Sequence, residues 1–309
     1  MSVPQECRVN IVPLRKFRTD KEIPLGGCRV KELDQTEKQI ICDSIAFKMA
    51  GRDFGFFEGV NFVIESPLSQ RLASYDIVAA LRVFKPEAVQ NLPDMTVELD
   101  QNAKIVDVHS CKFWMSLYES TSDVYTLSGD EVENFRGFWR NFSKAIDFPF
   151  MATAIHRFSN AYLKGFAGDR LVDYVIALEA LFSENSESIG YKLACRVPVF
   201  TNKETEERRK TREYVRIAYR IRSSLVHGSE QSIEEIFQEN MEKLVRKKVG
   251  SDEINFATDF LSRIREIVRI AICKFVIRLS SESEKRGRSE ILVSIDDELI
   301  GKGSNALSC

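Results

Sequence analysis

Apolar positions recur along this chain with two different periods, and the period changes near Ser128. Before that point the apolar residues fall in short runs of about four to eight residues, the pattern of half-buried strands. Cys7 to Leu14, Asn61 to Glu65, Thr96 to Leu99 and Ile105 to Val108 are the strand candidates. Asp100, Gln101 and Asn102 supply the turn between the last two. Gln35 to Phe47 and Gln70 to Phe84 carry a helical repeat, and Pro86 stops the second. Gly26-Gly27 and Gly51 to Gly59 read as loops.

From Ser128 the pattern is helix after helix. Ser128 or Asp130 caps a helix through Trp139 to about Ile146, with Glu131 and Glu133 near its positive end. Asp147 to Pro149 breaks it, and a second helix covers about Thr153 to Leu163. Asp169 caps a third to about Phe182. Ser186 to Phe200 is a fourth, interrupted near Pro198. Thr201 opens a long helix that ends at Gly228. Ser232 to about Val249 and Asp252 to about Leu279 complete the set. The expected class is α+β: a small mixed N-terminal region (1–127), an all-α helical bundle (128–282), and a polar C-terminal tail (283–309) with a short apolar stretch, Ile291 to Ile295.

Two helices depart from ordinary amphipathic patterning. In Leu171 to Phe182 only Asp173 and Glu179 interrupt the apolar run, so this is expected to be a central helix. A carboxylate there needs a cationic or hydrogen-bonding partner, and Lys192, Arg196 and Arg222 are the candidates for Glu179. The long helix carries seven basic residues and one acid, Glu213, between Arg208 and Arg222. Arg208, Arg212, Arg216 and Arg220 repeat every four residues and form one slowly drifting stripe. Such a stripe is either a solvated, internally paired face, with Glu204, Glu206 and Glu207 to help, or a track for a phosphate backbone.

Composition narrows the reading. A net charge of −2 over 309 residues argues against a general nucleic-acid coat. The seven cysteines show no CxxC spacing, which argues against structural zinc and against a disulfide framework. The most apolar stretch, Ile267 to Leu279, contains Arg269, Lys274 and Arg278 and does not suit a spanning helix. The N-terminus has no secretory signal pattern, and a cytoplasmic location is expected.

Of three histidines, His109, His156 and His227, the last sits in the most informative segment, Tyr219 to Gly228. Arg222 precedes His227 by five residues, about 140° apart on an ideal helix. They approach one another only if the last turn deforms at Gly228, or if two chains share a cleft. Histidine changes charge near neutral pH, and a guanidinium grips phosphate oxygens. His156 and His109 have no partner that the sequence names.

The pieces Asp169-Arg170-Leu171-Val172-Asp173, Ala177-Leu178-Glu179-Ala180-Leu181-Phe182, Tyr191-Lys192-Leu193 with Arg196, and Tyr219 with Arg222-Ser223-Ser224-Leu225-Val226-His227-Gly228 occur in an order that resembles the HEPN superfamily, and within it the Apea-like group. The resemblance covers roughly residues 130–280. It implies an HEPN-type helical bundle, a homodimer with the Arg…His motif at its cleft, and metal-independent endoribonuclease activity of the kind found in toxin and antiviral defence systems. Carried over by position, Arg222 and His227 are the catalytic pair. Ser223 departs from the Asn, Asp or His common after the motif arginine, and it cannot serve as a second acid or base.

The chemistry this implies is attack of a ribose 2′-hydroxyl on its own phosphate, with no cofactor and no metal. Glu179, Arg196, Ser223 and Tyr219 are expected to support the pair, and Arg208, Arg212, Arg216, Arg220 and Lys192 to bind RNA. The alternative is a non-catalytic HEPN module that dimerises and recognises a protein, RNA or nucleotide. In either case the N-terminal region is a candidate sensor or regulator.

Overall fold

The computed structural model describes residues 8–44, 57, 59–87, 89–111, 124–185, 187–228, 232–233, 235–239, 255–280 and 287–301. The chain divides into two compact units, Met1–Arg140 and Asn141–Cys309. The fold is α+β: an antiparallel sheet in the first unit, helices in the second.

In the first unit the strands are β1 (Arg8–Arg15), β2 (Phe17–Thr19), β3 (Ile23–Pro24), β4 (Arg29–Glu32), β5 (Val60–Pro67), β6 (Gln90–Asn91), β7 (Met95–Leu99), β8 (Ile105–Cys111) and β9 (Tyr125–Leu127). The main sheet runs β3-β4-β5-β1-β7-β8, with β6 beside β1, and its neighbours are antiparallel. Strands β2 and β9 form a separate parallel pair. The strands expected at Asn61, Thr96 and Ile105 all form, and that at Cys7 is described from Arg8. The shorter β2, β3, β4, β6 and β9 carry too few residues for a period to show.

Helix α1 (Gln35–Asp43) opens with a reciprocal capping box between Asp34 and Glu37. Glu37 is buried, and its carboxylate accepts from Lys31 Nζ at 2.9 Å and from the Ile105 amide at 3.1 Å. One side chain therefore ties a helix start to two strands. Helix α2 (Arg71–Phe84) stops where expected, before Pro86. Continuation of the first helix to Phe47, loop residues 51–56, Trp114 and residues 240–249 lie outside the described residues.

Helix α3 (Gly129–Ala145) contains the division between the units. Its N-terminal part is fastened within the first unit. Phe135 and Phe138 meet Phe84, Lys85 pairs with Glu131, and Trp139 donates to the Leu25 carbonyl.

In the second unit α4 (Pro149–Ala161) starts earlier than expected, because Pro149 takes the first helical position, where its missing N–H costs nothing. Helix α5 (Ala167–Phe182) starts after Phe166 rather than at Asp169, which lies in its first turn. Pro198 does not interrupt α6 (Ile189–Thr201); it sits in the last turn, and the Thr201 hydroxyl donates to the Val197 carbonyl. Thr201 thus closes that helix. The long helix α7 (Thr205–Val226) begins after Glu204. A π-helical turn, Phe256–Phe260, leads into α8 (Leu261–Ser280). The apolar stretch expected in the tail forms α9 (Arg288–Leu299), with Ile291, Leu292 and Ile295 buried.

Helix α5 is central, as its apolar composition predicts: it packs against α4, α6, α7 and α8. Phe182 at its end meets Phe200 and Phe275, each with ring centroids 5.4 Å away. Burying each such side chain contributes about 1.5–3 kcal/mol. Among the described residues no helix is long and apolar enough to cross a membrane.

Candidate functional site

Helix α7 holds its position through Thr211, Val215, Ile217, Ala218 and Ile221, all buried. Tyr219 lies against α6, where a Cβ added to Gly190 would come within 2.7 Å of the Tyr219 ring. Only glycine permits that approach. The helix ends at His227, whose backbone N–H donates to the Ser223 carbonyl at 3.0 Å. His227 has left helical geometry (φ −93°, ψ 8°), and Gly228 follows in the left-handed region at φ +69°. That is the expected glycine stop.

Arg222, one turn earlier, finds Glu179 of α5. Its Nη2 donates to Oε2 at 3.1 Å, and both side chains are mostly shielded from solvent. Among the three cations proposed for Glu179, Arg222 is the partner. The geometry leaves capacity unused: Arg222 Nε and Glu179 Oε1 are buried with no hydrogen-bond partner among the described residues. Burial pushes the Glu179 carboxyl above its ordinary range, against the opposing pull of Arg222.

His227 is exposed, and no hydrogen bond or ion pair engages its imidazole among the described residues. Val226 beside it is exposed as well. The start of α5 lies against this end of α7, since Gly168 approaches Leu225 and Ile233. Phe166, just before α5, is 78% exposed, so this end of the helix pair presents bare apolar surface. Sequence periodicity missed Phe166, because it reads there as one more loop residue.

The other supporting residues are spread out. Arg196 is buried and fully engaged: Nε and Nη2 grip Asp296 of α9 at 2.9 and 2.6 Å, and Nη1 donates to the Phe182 carbonyl. It acts as a clamp for α9 and takes no part in the Arg222 pair. Lys192 donates to the Asn185 side chain. Ser223 is half-buried.

Half of the basic stripe, Arg208 and Arg216, is paired with carboxylates, and the neighbouring Arg209 and Lys210 are paired as well. Arg209, Lys210 and Arg216 pair with Glu206, Glu207 and Glu213 one turn away, and Arg263 of α8 also reaches Glu207. Arg208 pairs with Glu298 and donates to the Asn202 carbonyl. Exposed pairs of this kind contribute about 0–1 kcal/mol each. Arg212 and Arg220 are exposed without a carboxylate partner among the described residues. Among the described residues the arrangement therefore offers an oriented guanidinium, an imidazole without a partner at the end of the same helix, and two cations along it without a carboxylate. No family model, curated protein or solved structure matches the chain.

Proposed function

We propose that this chain is a metal-independent endoribonuclease of the HEPN type, acting as a cytoplasmic homodimer in a defence or toxin-type system. One observation carries the reading: Glu179 fixes the Arg222 guanidinium while His227, at the exposed end of the same helix, has no partner among the described residues. An arginine oriented before a ligand arrives stabilises phosphate charge without reorganising. An imidazole with no internal partner is free to move a proton.

In the reaction, His227 takes the proton from the ribose 2′-hydroxyl as that oxygen bonds to phosphorus. The 5′-oxygen leaves and receives a proton from the imidazolium of the same site or its symmetry mate. The products are a 2′,3′-cyclic phosphate and a 5′-hydroxyl. Arg222 holds the non-bridging oxygens through its unused N–H groups. Arg212 and Arg220 hold flanking phosphates. The apolar end formed by Phe166 and Val226 supports an association of two copies that brings a second Arg/His pair to the cleft.

The test is cleavage of total RNA in EDTA by the purified chain. His227→Ala should lose about 10²–10⁴-fold, and Arg222→Lys should lose activity with the fold kept. Equal cleavage by wild type and His227→Ala discards the assignment. A second reading, a binding module without chemistry, is favoured by the pairing of Arg208, Arg209, Lys210 and Arg216 with carboxylates of this chain. It expects retention of RNA or a protein partner without any cleaved product.

A further inference from the structure

We propose that Glu98, Asp107 and His109, on the outer face of β7 and β8, form a site for one divalent metal ion of the zinc class. The three offer one ligand atom each, all within 4.8 Å of one another. Glu98 and Asp107 are direct cross-strand partners. His109 Nε2 lies 2.7 Å from Glu98 Oε2 and 4.0 Å from Asp107 Oδ2. A tetrahedral zinc ion, with bonds of about 2.0–2.2 Å, holds its N and O donors about 3.4 Å apart. The observed separations straddle that value, so side-chain rotation alone brings the donors into place.

The backbone explains why an imidazole stands beside both acids. Thr96 pairs with Ser110 and Val97 with Val108, so His109 is an extra residue in β8. Glu98 pairs with Asp107 and Leu99 with Ile105, which makes Val106 another. Each bulge re-aims side chains. Along β8 Ile105 and Val108 are buried in the core and Cys111 packs against it, whereas Asp107 and His109 are both left outside. An ion pair for the histidine needs one carboxylate. Here a second is held at 4.0 Å, and the resulting excess of negative charge is what a dication neutralises.

One imidazole and two carboxylates suit zinc, cobalt or nickel, with the remaining positions taken by water. Asp107 is 61% exposed in its side chain, so the ion reaches the site from solvent. The proposal does not rest on the nuclease reading, whose assay runs in EDTA.

The probe is cobalt chloride titrated into the full chain, then displaced by zinc chloride. Cobalt reports its ligands by colour, which matters because cysteine thiols elsewhere also bind zinc. The expected result is one equivalent of cobalt with visible bands and no near-ultraviolet thiolate band. Affinity should fall at least tenfold in Glu98→Gln and in Asp107→Asn, and binding should be lost in His109→Asn, with unchanged circular dichroism. No uptake, uptake indifferent to His109→Asn, or a thiolate band would each overturn the site.

Discussion

At the scale of single residues, Glu179 and Arg222 define what can be tested cleanly. A carboxyl raised in the fold binds its proton more tightly there than in the unfolded chain. Its contribution to stability therefore declines as pH climbs through the window that opens at the ordinary value of 4.5. Urea denaturation from pH 4.5 upward should show this decline in wild type relative to Glu179→Gln, and the reverse slope would mean that Arg222 outweighs burial. Arg222→Ala strips Glu179 of its one cationic partner among the described residues and should cost about 1–3 kcal/mol. His227→Ala removes an exposed ring with no partner among the described residues and should cost under about 1 kcal/mol. Thermal melts of the two variants check this difference, and they explain why arginine is better replaced by lysine in activity work. The sequence marked both residues by type and position. It left three cations open for Glu179, because helical spacing gives a face and not a partner.

At the scale of elements, long helices were legible and short strands were not. The near-continuous apolar run of α5 and the four-residue basic repeat of α7 announce both, whereas β3 and β6 are two residues each and exist only because a neighbouring strand offers hydrogen bonds. The start of α4 shifted where proline chemistry decided it, at Pro149, and the interruption expected at Pro198 did not form because that residue sits inside the last turn of α6. Helix α9 was visible only as Ile291 to Ile295 in a polar segment. Its place depends on burial of those residues and on the Arg196–Asp296 fork, a hundred residues apart in sequence. Ile295→Ala should therefore destabilise the second unit by about 2–5 kcal/mol. Asp296→Ala should also destabilise, since it leaves a buried guanidinium unpaired. Denaturant titration of each variant measures both effects, and a neutral Ile295→Ala would mean that α9 does not belong to the core.

At the scale of the whole molecule, the change of texture at Ser128 and the division at Arg140 differ for a physical reason. The sequence signals where helical periodicity starts. Packing assigns the first turns of α3 to the sheet-bearing unit through Phe135, Phe138 and Trp139. A fragment ending at Leu127 loses those contacts and should be unfolded by near-ultraviolet circular dichroism, whereas one ending at Ile146 should give a native spectrum. A folded 1–127 fragment would show that α3 is dispensable to the first unit.

The contact between Gly190 and the Tyr219 ring has a consequence for inherited variation in this chain. One added methyl group at position 190 comes within 2.7 Å of the Tyr219 ring, so the ring or a helix must shift, three residues before Arg222. Such a change touches no charged group, yet a shift of α7 there should loosen the Arg222–Glu179 pair one turn on. A lesion mapped to that glycine would then look like a defect of Arg222 itself.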